Sequence, residues 1–156
     1  MSNLQSSGKI EEALLKRGIY VSRTEGVSME PMLRAGRDTV IIKKAEFPLK
    51  KYDIPVYSRN GKYIMHRIVK ATKSGYVICG DNCVGVERDI TDEKIIGILA
   101  AFYRGDEYIE YGDSEYMRYA KQALKRYRKM RLMQFVRLLR RALGKLKRMV
   151  KKQKTT

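Results

Sequence analysis

Ser28, His66 and Asp81 are the residues of this 156-residue chain whose types and surroundings could do chemistry. Ser28 stands in the string Gly26-Val27-Ser28-Met29-Glu30-Pro31-Met32-Leu33. His66, the only histidine, stands in Tyr63-Ile64-Met65-His66-Arg67-Ile68-Val69, and Asp81 in Gly80-Asp81-Asn82. A serine hydroxyl is a weak nucleophile until a base takes its proton. An imidazole, with an ordinary pKa of ~6.5, is mostly neutral at pH 7 and can be that base without first being buried. It must be oriented: a carboxylate on its other ring nitrogen sets the tautomer and stabilises the imidazolium. Each residue also has a purely structural reading. Ser28 can cap a short helix. His66 shares a strand face with Ile64 and Ile68 and suits a core. Asp81 can close a turn onto its own backbone.

The elements that must position these groups are short. Ile10 to Arg17 reads as a helix, closed by Gly18. Strands are predicted at Tyr20–Arg23, Thr39–Lys43, Ile54–Ser58, Tyr63–Val69, Tyr76–Cys79, Ile95–Arg104 and Tyr108–Tyr111. Pro55 confines its strand to an edge or a bulge. Asn60-Gly61 signals a hairpin, because both residues tolerate positive φ. Tight turns without long intervening helices predict a mainly β, coiled antiparallel fold, with the short helix at the N-terminus. From Ser114 to Lys152 the pattern becomes helical. Tyr116, Ala120, Ala123, Leu124 and Tyr127 form one apolar stripe, and Leu132, Phe135, Val136, Leu139, Leu143, Leu146 and Val150 a second. The stripes are offset by roughly a quarter turn or more, which predicts a bend near Arg128–Arg131. The organisation expected is a β-rich domain over residues 1–112 and a basic amphipathic helical tail over 113–156.

The three strings, in this order and followed by the apolar strand Ile95-Ile96-Gly97-Ile98-Leu99, resemble the superfamily of serine peptidases that holds signal peptidases and the self-cleaving domains of SOS-type repressors. The resemblance covers roughly Gly26 to Ala100. It implies that Ser28 is the nucleophile and that His66 is the general base, as in the relatives from archaea and the endoplasmic reticulum, where bacterial signal peptidases use lysine. It also implies that backbone N–H groups near Ser28 hold the oxyanion, and that the substrate is an extended peptide or protein segment. Asp81 is the first choice to orient His66. Glu87 and Asp89 are the alternatives, because the histidine-type relatives carry a further aspartate beyond their Gly-Asp-Asn. Two departures stand out: Gly26 occupies the position where many signal peptidases have an oxyanion serine, and the family's membrane-spanning anchor has no counterpart here.

Composition bounds the rest. The chain is 44% hydrophobic, enough for a packed core. The longest uncharged apolar run, Ile95 to Tyr103, is far short of a spanning helix. Met1 to Leu15 has no apolar core of the secretory type. Cys79 and Cys83 are expected to be reduced in a cytoplasm and to act as small apolar filler. With one histidine they do not complete a zinc site, and no metal or cofactor is expected. The formal net charge is +17, with 16 basic and no acidic residues between Met117 and Thr156. A basic amphipathic helix over 117–154 is expected to meet an anionic membrane surface, on the inner leaflet for a cytoplasmic protein, in preference to nucleic acid, which has no use for an apolar stripe. A packed structural role and a pure binding module without catalysis are the competing readings.

Overall fold

The computed structural model describes residues 8–153, and the side chains of residues 8–144. The chain is mainly β, in two antiparallel sheets, with a short helix near its start and a long one at its end. Helix α1 (Lys9–Arg17) ends on Gly18 at φ 73°, where a glycine closes the last turn without a Cβ penalty. The first sheet runs β1 (Ile19–Arg23), β2 (Asp38–Lys43), β8 (Ile95–Arg104), β3 (Pro55–Arg59), β4 (Lys62–Met65), with β9 (Glu107–Glu110) also on β8. The second runs β5 (Arg67–Thr72), β6 (Gly75–Cys79), β7 (Glu87–Ile90). The ten-residue β8 is the spine: β2 lies along one edge, and β3 and β9 share the other.

Three sequence expectations change and one narrows. Of the edge or bulge open to Pro55, the structure has the second: β3 sits between β8 and β4, with an irregular register to β8. The strand tolerates this because proline is its first residue, where a missing N–H costs least, and because the register to β8 shifts between Val56 and Tyr57. The predicted strand Tyr63–Val69 is two strands, broken at His66, where the chain leaves the first sheet for the second. His66 is therefore a junction residue, and both faces around it are buried: Ile64, Met65, Arg67 and Ile68 are all in the interior. Strand β7 was not expected, since Glu-Arg-Asp-Ile lacks an alternating apolar pattern. Finally, helix α2 (Ser114–Gln153) runs unbroken through Arg128–Arg131. The hairpin turn is as expected, with Asn60 at φ 52° and Gly61 at φ 70° joining β3 to β4.

The main core gathers Ile10 and Leu14 of α1, Val40 and Ile42 of β2, Leu99 and Phe102 of β8, and Tyr116 and Ala120 of α2. It also takes Met29, Met32 and Leu33, which come from the Ser28 turn itself. Burying three large side chains on one turn, each contributing roughly 1.5–3 kcal/mol, fixes that turn on the body. The first part of α2 is held likewise: Tyr116 and Ala120 are fully buried, and Tyr116 Oη donates to the Tyr52 carbonyl at 3.1 Å. Among the described residues no helix is long and apolar enough to cross a membrane.

Candidate active site

The chain reaches Ser28 by leaving β1 through Thr24 and Gly26, the latter at φ 75°, a left-handed conformation that glycine adopts freely. The turn that follows closes with Glu30 N–H donating to the Val27 carbonyl at 3.2 Å and Leu33 N–H to the Met29 carbonyl at 3.0 Å. Ser28 is 2% exposed and His66 is 6% exposed. A second turn, Gly80-Asp81-Asn82 after β6, lies against both. Asn82 N–H donates to the Ser28 carbonyl at 2.8 Å, and Asn82 Nδ2 to the Val27 carbonyl at 3.2 Å. Gly80 is the point of closest approach. A Cβ there would lie 2.8 Å from the Ser28 carbonyl oxygen, 3.0 Å from His66 Nε2 and 2.7 Å from Cys83 Sγ. The serine turn and the imidazole thus flank one residue that has no room for a side chain.

The far side of the imidazole is held by two residues, one of them braced by a third. His66 Nδ1 lies 3.0 Å from Glu87 Oε1 and 3.3 Å from Tyr57 Oη. Tyr57 Oη donates to the same Glu87 oxygen, and Arg59 Nη1 lies 2.8 Å from Glu87 Oε2. An ionised carboxylate only accepts, so the proton between Glu87 and the ring belongs to Nδ1. The unprotonated nitrogen is then Nε2, on the Gly80 side. Nε2 is buried and has no hydrogen-bond partner among the described residues. A buried polar atom left so costs about 1–3 kcal/mol. Burial lowers the His66 pKa below the ordinary imidazole value, and Glu87 opposes that shift without cancelling it. The ring is therefore neutral at pH 7, with its lone pair aimed into the space beside the serine turn.

Asp81 does not reach the imidazole. It receives both arms of Arg67, from Nε at 2.8 Å and from Nη2 at 2.7 Å. Arg67, 1% exposed, also donates to the Tyr52 carbonyl at 3.0 Å, contacts Met32 Sδ at 2.8 Å and stacks on the Tyr116 ring at 5.4 Å. This pair ties β5, the Gly80 turn, the serine turn and α2 together, which is a scaffolding arrangement. Asp89 is exposed at φ 57° and is turned toward Ser74, 3.4 Å away. The carboxylate behind the ring is Glu87. Glu87 is one of the alternatives the sequence offers, whereas Tyr57 and Arg59 stand in no motif. Their i, i+2 spacing on β3, which puts them on one face, was the available signal.

The cysteines are free. Cys79 is buried in a small cluster with Val69, Val77 and Leu124, and burial beside Cys83 pushes its thiol up to about 12. Cys83 is half-buried at the edge of the site, with its thiol also pushed up by burial. Among the described residues no group of histidine, cysteine and carboxylate side chains could hold a metal ion. The arrangement sets a neutral imidazole, its Nε2 toward Gly80, across that glycine from the Ser28 carbonyl. Comparison with known protein families, with curated proteins and with solved structures found no match to this chain.

Proposed function

We propose that the chain is a serine endopeptidase of the signal-peptidase and repressor-peptidase kind, working by Ser28, His66 and Glu87. What carries this reading is the state of His66: a buried imidazole, its Nδ1 engaged by Glu87, with an unpartnered Nε2 beside the serine turn. A core histidine with no chemistry to do would have its second nitrogen satisfied. In the reaction, Nε2 takes the Ser28 proton as the hydroxyl attacks a peptide carbonyl. The oxygen of the tetrahedral intermediate is held by backbone N–H groups of the serine turn. The imidazolium then gives its proton to the leaving amine, and a water molecule, activated by the same nitrogen, frees the acyl group. Glu87 accepts from Nδ1 and holds the ring. In the structure Ser28 and Nε2 share no hydrogen bond, and the reaction requires the two to come within hydrogen-bond reach once substrate is bound.

The test is cleavage of a proteome-derived peptide library, read by mass spectrometry. Full-length protein is expected to cut extended segments. Ser28→Ala and His66→Ala are expected to be inactive while melting cooperatively like the parent. Undiminished cleavage by either folded variant overturns the assignment.

A further inference from the structure

Helix α2 carries two faces of different chemistry. Up to Tyr127 its apolar residues lie on the body: Tyr116, Ala120 and Leu124 are buried. Beyond that, Leu132, Phe135, Val136, Leu139 and Leu143 repeat at three- and four-residue spacing on another face. At 100° per residue this second stripe is turned from the first by roughly a third of a revolution. Because the helix does not bend, nothing returns the stripe to the body. Leu132 is 64%, Phe135 58% and Leu143 57% exposed. Leu146 and Val150, which would extend the stripe, lie outside the described side chains.

Charge decides what could cover this face. Arg131, Arg137, Arg140 and Arg141 occupy the flanks and back of the same stretch, and no acidic residue follows Glu115. A second copy of the helix would bring two cationic segments together with no carboxylate between them. Duplex nucleic acid would neutralise the arginines and leave the leucines and phenylalanine in water. An anionic bilayer satisfies both sets at once: the stripe enters the acyl boundary and the guanidinium groups meet the headgroups.

We propose that residues 128–144 of α2 form a docking face for an anionic membrane surface. The same helix is joined to the candidate active site, since Arg126 Nη2 donates to Asn82 Oδ1 at 3.0 Å, in the turn that also holds the Ser28 carbonyl. Docking therefore sets that turn close to the lipid, about 9 Å along the helix from Leu132.

Sedimentation with vesicles tests this on the full chain. It is expected to pellet with phosphatidylglycerol–phosphatidylcholine vesicles and to stay in solution with phosphatidylcholine alone. Neutralising Lys129, Arg131 and Arg140, which flank the stripe, to Gln is expected to weaken partitioning on the order of a hundredfold, since each cation near the surface contributes about fivefold. Leu132→Ser with Phe135→Ser and Leu139→Ser is expected to abolish pelleting. All six positions are exposed, so both variants keep the parent melting temperature. Three results overturn the proposal. One is a chain that stays in solution with anionic vesicles. Another is equal pelleting with neutral and anionic lipid. The third is a lipid-free dimer, seen by light scattering, that the serine variant converts to monomer. Vesicle binding of the Ser28→Ala variant separates this question from proteolysis.

Discussion

Glu87→Gln and Asp81→Asn should fail in opposite ways. In the first, the amide keeps the shape of Glu87 but must choose an orientation. Arg59 Nη1, 2.8 Å from Oε2, demands an oxygen there. The amide NH₂ then faces Tyr57 and His66 Nδ1, and a donor at Nδ1 forces the ring proton onto Nε2. That is the tautomer that cannot accept the Ser28 proton. Loss of the equivalent carboxylate in serine peptidases costs up to ~10⁴ in kcat, and we expect 10²- to 10⁴-fold here, about 3–5.5 kcal/mol of transition-state stabilisation. Glu87 is only part-buried, so stability should change little. Asp81→Asn leaves the Arg67 guanidinium without its charge partner in the interior, 1% exposed. Breaking a buried pair by one partner costs about 3–5 kcal/mol. In a chain of this size that lowers the melting temperature by roughly 10 °C. The catalytic constant per folded molecule should hold within a fewfold. The assay pairs steady-state cleavage of a peptide found by the library screen with thermal melting of each variant. A folded Glu87→Gln variant at parental kcat, with Asp81→Asn inactive below its melting point, would exclude Glu87 as the partner of His66.

Gly80→Ala adds a Cβ 2.8 Å from the Ser28 carbonyl oxygen, so the serine turn must move away from the imidazole; a loss of about 10²-fold in kcat is expected, and Cys83→Ala should not restore it, because main chain remains in the way. The kcat/KM profile should be flat above neutrality and fall on an acid limb centred below ~6.5, because burial lowers the His66 pKa; a limb at or above that value would contradict the buried base. The same shift has a sign for stability: between the folded value and ~6.5 the unfolded chain binds more protons, so this group's contribution is lost as pH falls through ~6.5, and melting temperature should drop there. Iodoacetamide at alkaline pH should modify half-buried Cys83 before buried Cys79 and block cleavage, with Cys83→Ala active and resistant; mass spectrometry showing Cys79 modified first would contradict the packing.

Local rules carried the elements far. Gly18, Asn60-Gly61 and the apolar runs of β2 and β8 act within a few residues, so spacing alone reveals them. Pro55 left edge and bulge both open, because the proline penalty depends on whether a neighbouring strand needs its N–H; the register shift of β3 on β8 beside it is the bulge alternative. The split at His66 was invisible because apolar residues on both sides of it look the same in one buried strand or in two strands of different sheets. The offset between the stripes of α2 does not require the expected bend: a straight helix with one stripe on the body and one facing elsewhere satisfies the same spacing.

By itself the chain's order of residues determined that a serine on a glycine-led turn, a single histidine and a uniformly cationic amphipathic tail exist, since these are matters of residue type and short-range period. Which acid lies against the imidazole depends on contacts between distant segments. Asp81 and Glu87 are 15 and 21 residues from His66 along the chain, and neither separation carries information about contact. The choice was made by Arg67, which on entering the core needed a buried counter-charge and took Asp81. Strand β7, pairing with β6, then brought Glu87 to the ring.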